Sequence, residues 1–61
     1  MTPDNAAVTL RKGTIAYAED YREPVLILKV EKRARGLIAA RYLVQRLDGS
    51  TTSNYPGYLL K

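Results

Sequence analysis

The sequence predicts an all-β domain of five short strands. Three observations lead there: runs of β-branched and aliphatic residues no longer than a strand, turn dipeptides that separate them, and only one stretch whose composition competes for helix. With 61 residues there is room for one core, because a domain of this size hides only about 60% of the surface its unfolded chain exposes. The chain is expected to form a single domain over residues 8–61 behind a flexible N-terminal arm over 1–7, where Pro3 and Asn5 disfavour regular structure.

Order is expected to start near Val8. From Val8 to Glu19, Val8, Leu10, Ile15 and Tyr17 alternate with Thr9, Arg11, Thr14 and Ala16 once Arg11-Lys12-Gly13 is allowed to bend, which is the period of a half-buried strand. Glu19-Asp20-Tyr21-Arg22-Glu23-Pro24 is charged and turn-rich, so it is expected to be an exposed loop, and Pro24 suits the opening of a strand because it has no N–H to give. Pro24 to Glu31 is the clearest strand. Leu26, Leu28 and Val30 are expected on the core face with Lys29 and Glu31 outward, which leaves Val25 and Ile27 on the opposite face. Cover for that second apolar face would come from the N-terminal arm, from curling of the sheet or from a second copy of the chain, which makes a homo-oligomer one expected state.

Residues 32–47 decide the fold. Lys32 to Arg35 and Ala39-Ala40-Arg41 favour helix by propensity, and Leu37, Ala40, Val44 and Leu47 share one helical face, so a ββα arrangement with a helix over 32–47 is the alternative. Gly36 interrupts that helix, and Asp48-Gly49 is a strong hairpin signal. The preferred assignment makes Lys32 to Gly36 a basic loop and Leu37 to Leu47 a long strand, with Tyr42 and Val44 inward and Arg41 and Gln45 outward. Ser50 to Tyr55 then forms an edge or surface strand, Pro56-Gly57 turns sharply, and Tyr58-Leu59-Leu60-Lys61 returns to the core as a short final strand.

Charge is regional. Ten Lys or Arg against six Asp or Glu give a formal +4, yet residues 1–31 carry four basic and five acidic side chains while 32–61 carry six and one. Lys32, Arg33, Arg35, Arg41 and Arg46 fall in one stretch with no acidic residue between them, the footprint of a surface for nucleic acid or an acidic protein. The plainer explanation is solubility. Of the five tyrosines, Tyr17 and Tyr42 are expected in the core. Tyr21 in the charged loop and Tyr55 beside Pro56-Gly57 are better placed to stack on bases.

No Cys and no His occur, so disulfides, zinc sites, thiol nucleophiles and imidazole bases are excluded. Asp4, Glu19, Asp20, Glu23, Glu31 and Asp48 show no metal-ligand spacing, and neither an enzymatic activity, a metal nor a cofactor is expected. No apolar run approaches a membrane span and the N-terminus lacks the build of a signal peptide, so a cytoplasmic location without membrane association is expected.

Four segments together resemble the SH3-like small barrels, the superfamily that includes Tudor and KOW modules: Gly13 to Tyr17, Pro24 to Val30, Tyr42 to Gly49, and Asn54 to Leu60. The resemblance spans residues 8–61 and implies a five-stranded barrel with a short 3₁₀ turn at Tyr55-Pro56-Gly57-Tyr58 before the last strand. The Gly-spaced KOW consensus and the Trp of peptide-binding SH3 domains have no counterpart here. Tyr55-Pro56 is similar to the pore strand of plasmid-type dihydrofolate reductases, but Ser53-Asn54 stands where that family has Gln-Ile.

The expected function is a non-enzymatic binding module of bacterial or phage type that contacts DNA or RNA through Lys32, Arg33, Arg35, Arg41 and Arg46, with Tyr21 and Tyr55 as stacking residues. The alternative is a small regulatory or inhibitory protein that binds an acidic partner protein through its barrel face or a strand edge.

Overall fold

The computed structural model describes residues 9–61; the arm expected over 1–7 lies outside them. The chain is all-β, with β1 (Ile15–Ala18), β2 (Glu23–Lys32), β3 (Arg41–Gln45), β4 (Thr51–Pro56) and a 3₁₀ turn over Gly57–Leu59. The strands form one antiparallel sheet in the order β1-β2-β3-β4. Arg41–Gln45 is extended, which excludes a helix over 32–47.

Four strands are present instead of the expected five, and the sheet does not close into a barrel. The 3₁₀ turn falls at the expected place, but the residues after it make only a single bridge, Ala18 to Leu60, and no strand. Around that bridge, Tyr17 and Lys61 exchange backbone hydrogen bonds of 3.1 and 2.9 Å, and the Glu19 N–H donates to the Leu59 carbonyl at 2.9 Å.

Two turns punctuate the sheet. Asp48-Gly49 makes the predicted hairpin turn between β3 and β4: Gly49 has φ +89, and Asp48 Oδ1 accepts from the Ser50 N–H at 2.9 Å. Between β2 and β3 the chain forms a second tight turn that interrupts the expected Leu37–Leu47 strand. Arg35 and Ile38 exchange backbone hydrogen bonds of 2.9 and 2.8 Å around Gly36-Leu37, with Gly36 at φ +56.

The core comprises Ala16, Ala18, Val25, Ile27, Ala40, Tyr42, Val44, Tyr55 and Leu60, with Leu10, Tyr21, Val30, Ala34 and Leu59 packed against it. Tyr42 and Val44 point inward as expected. Two strands have the opposite parity. In β1, Ala16 and Ala18 are buried while Ile15 and Tyr17 are 69% and 44% exposed. In β2, Val25 and Ile27 are buried and Leu26 and Leu28 are only half-buried.

The β2 reversal has a clear cause. Ile27 pairs with Val44 and Lys29 with Leu43, so Leu28 is an extra residue in a bulge, and Glu31 is a second between Val30 and Lys32. A bulge resets the two-residue alternation, so Val25 and Ile27 before it and Val30 after it all reach the core side. Strict alternation would place Val30 with Leu26. In β1 the alanine face is inward, in a core whose larger members are Tyr42, Tyr55, Ile27 and Leu60.

Candidate functional site

The β2–β3 connection gathers most of the predicted cations. Lys32 ends β2 and pairs with Arg41, the first residue of β3, while Arg33 and Arg35 lie on the connecting turn. Lys32, Arg33, Ala34, Arg35 and Ile38 line an open recess of about 540 Å³. A neighbouring recess is lined by Thr9, Leu10, Arg11, Val30 and Arg33. Arg11 therefore joins the basic cluster through Arg33. Sequence reasoning misses it because its separation along the chain conceals its place beside the loop. The contact is fixed by Thr9, whose Oγ1 accepts from the Ala34 N–H at 3.1 Å.

None of these cations forms an ion pair among the described residues, where the ion pairs are Arg46–Glu23 and Lys61–Glu19. Each described acidic side chain is engaged by another group. Glu19 meets Lys61 at 2.8 Å, Asp20 accepts from the Tyr55 hydroxyl, and Asp48 accepts from Ser50. Glu31, adjacent to Lys32 in sequence, accepts from Ser53 Oγ at 2.9 Å and from the Asn54 N–H. That Asn54 sits at φ +58 inside a β4 bulge, where Tyr42 pairs with Tyr55 and Val44 with Thr52. Among the described residues, Lys32, Arg33, Arg35, Arg41 and Arg11 thus form a positive patch whose members make no ion pair.

The structure separates Arg46, Tyr21 and Tyr55 from this patch. Arg46 and Tyr21 lie at the opposite end of β2, beside Glu23, whereas Tyr55 pairs with Tyr42 on the sheet and turns its ring onto Tyr21. Arg46 Nη2 donates to Glu23 Oε1 at 3.1 Å, and the Leu47 N–H donates to Glu23 Oε2 at 3.0 Å. The hydrogen bond from Arg46, then that from Leu47, lowers the Glu23 pKa below its ordinary value of 4.5. Arg46 is raised in turn, chiefly by the same bond.

Tyr21 lies between Arg46 and Tyr55. Its ring stacks on Tyr55 with centroids 5.6 Å apart, and its hydroxyl shares a 2.6 Å hydrogen bond with Thr52 Oγ1. Tyr55 is only 2% exposed. Burial first, then the hydrogen bond to Asp20, raises its pKa above 10.0. These two rings are packing residues and not an open stacking platform. The charged loop hides this, because its polarity masks the single apolar ring that turns back onto the sheet.

The other exposed surface is the outer face of the sheet. Ile15, Leu26, Gln45 and Thr51 form a row across all four strands, and Ile15, Pro24, Leu26, Gln45, Arg46 and Leu47 line a shallow recess there. Among the described residues no helix is long and apolar enough to cross a membrane. No protein-family model, no curated protein and no solved structure matches this chain.

Proposed function

We propose that the protein is a non-enzymatic binding module for nucleic acid, with Lys32, Arg33, Arg35 and Arg41 as the phosphate-contacting residues and Arg11 extending the track. The observation that carries this is a cluster of cations that make no ion pair among the described residues. Each described acidic side chain is held by another group, and the four cations at the β2–β3 end have no acidic partner among the described residues. Cations left in water beside one another repel, and a polyanion turns that repulsion into binding by releasing its counterions. Arg46 is withdrawn from the contact set because Glu23 already neutralises it.

A salt titration tests it. Binding to nonspecific duplex and single-stranded DNA and RNA should weaken linearly in log–log form, with a slope of about −0.9 per phosphate neutralised on duplex. Replacing Arg33, Arg35 and Arg41 together by Ala should shallow that slope by about three such units. Undetectable affinity at low salt, or an unchanged slope in the triple variant, overturns the proposal.

A second reading is favoured by the outer face, where Ile15 and Leu47 stay largely exposed on either side of Leu26. A protein partner or a second copy docking there would cover them. Sedimentation of the wild type and of Ile15→Lys at rising concentration distinguishes self-association from a monomer.

A further inference from the structure

The most exposed large apolar side chain among the described residues is Leu37, at 106% of its reference surface, and the adjacent Ile38 is 61% exposed. Both sit on the tight turn closed by Arg35 and Ile38, within the basic patch. This placement does nothing for folding: the core is completed by Ala16, Ala18 and Ala40 while two bulkier aliphatic residues remain in water. From this we infer that Leu37 and Ile38 form a wedge that enters duplex DNA from the minor groove and unstacks one base step, while Arg33, Arg35 and Arg41 hold the phosphates on either side.

The geometry suits that occupant in three ways. A two-residue turn is the narrowest end a hairpin presents, and the exposed Leu37 and Ile38 side chains, not the strands, are what would enter a minor groove about 6 Å wide. Arg33 and Arg35 precede the tip and Arg41 lies beyond it, so cations reach out from both arms, as phosphates border the groove on both strands. Leu and Ile are side chains that unstack base steps when carried on such a projection, and the kink they cause brings more backbone within reach of the flanking cations. A bilayer is the poorer fit, since the chain has no Trp and none of its five tyrosines lies between Lys32 and Arg41, so the aromatic anchors of a membrane interface are missing from the loop.

The wedge rests on the nucleic-acid reading above, and the experiment tells the two apart. A short duplex carries a fluorescent adenine analogue whose emission rises on unstacking, with a donor and an acceptor dye at its ends to report bending. Wild type should raise the emission and change the energy transfer. The Leu37→Ser/Ile38→Ser variant, whose circular dichroism should match wild type because both side chains are exposed, should lose both signals and keep the salt slope. Its duplex affinity should fall by about tenfold, about 1.4 kcal/mol. If wild type binds duplex with the expected salt slope but leaves the emission unchanged, or if the double variant retains the signals, the wedge is overturned and nucleic-acid binding stands. Absence of binding to any nucleic acid at low salt overturns both. Binding to single strands alone overturns the wedge, and capture by phosphatidylserine vesicles that depends on Leu37, with no binding to any nucleic acid, overturns both in favour of a membrane surface.

Discussion

Arg46 lies over Tyr21, its guanidinium carbon 4.0 Å from the ring centroid. The same guanidinium is bonded to Glu23, so one side chain ties the end of β3 to the loop between β1 and β2 and to the start of β2. Cation–π attraction and a paired carboxylate make this a fastening of the fold.

Arg46→Ala should therefore lower the melting temperature and leave the salt slope of nucleic-acid binding unchanged. The Arg33/Arg35/Arg41 triple variant should do the reverse. Thermal melts and binding titrations on both variants check this pair of outcomes, and a loss of affinity in Arg46→Ala would place Arg46 in the contact set after all.

Acid should act through Glu23. Its folded pKa lies below the unfolded value because of Arg46 and the Leu47 N–H, so its contribution to stability is full above the unfolded pKa and is lost as pH falls through the folded one. Asp48, depressed by its bonds from Ser50, adds in the same direction. Melts between about pH 6 and pH 2 should show the loss, and Glu23→Gln should flatten it.

Alkali should act through Tyr55. Its pKa is raised above 10.0 by burial and by Asp20, so the neutral phenol is the stabilising form. That contribution is complete below the unfolded pKa and is lost as pH rises above it toward the folded value. Titration followed by tyrosinate absorbance should find Tyr55 ionising late, together with unfolding. Tyr55→Phe removes the late component.

Core substitutions test the strand parity. Ile27→Ala should cost about 2–5 kcal/mol and leave little folded protein in a domain this small, whereas Leu26→Thr, on the half-buried face, should be far milder. Tyr42→Phe removes the hydroxyl that accepts from the Leu10 N–H at 2.8 Å and should cost about 1 kcal/mol. Urea unfolding measures all three.

The positions of the strands are legible because Pro24, Asp48-Gly49 and Pro56-Gly57 mark their ends chemically. The orientation of their faces is not. A bulge leaves no composition signal, and Val25 to Val30 is apolar at every position except Lys29, so the residues on both sides of Leu28 look equally suited to the core. The basic patch is visible as a run of cations from Lys32 to Arg41. The separation of Arg46 is not, because Glu23, which withdraws it, lies 23 residues away. Strand-like composition draws Leu37 and Ile38 into β3, and only the Gly36 turn places them at a tip.

The extra residue at Leu28 acts as a phase shift in the chain. Upstream of it, odd-numbered positions of β2 face inward; downstream, Val30 does. Removing that one residue would leave Ile27, Lys29 and Val30 in plain alternation, still opposite the same partners on β3 and with Val30 still inward. The loss would be one of curvature, because a bulge bends its strand and adds local twist. Pairing and aim are therefore separable here: the partners of β2 survive a shorter chain, while the direction in which the strand delivers the basic turn depends on carrying one residue more than the ladder can use.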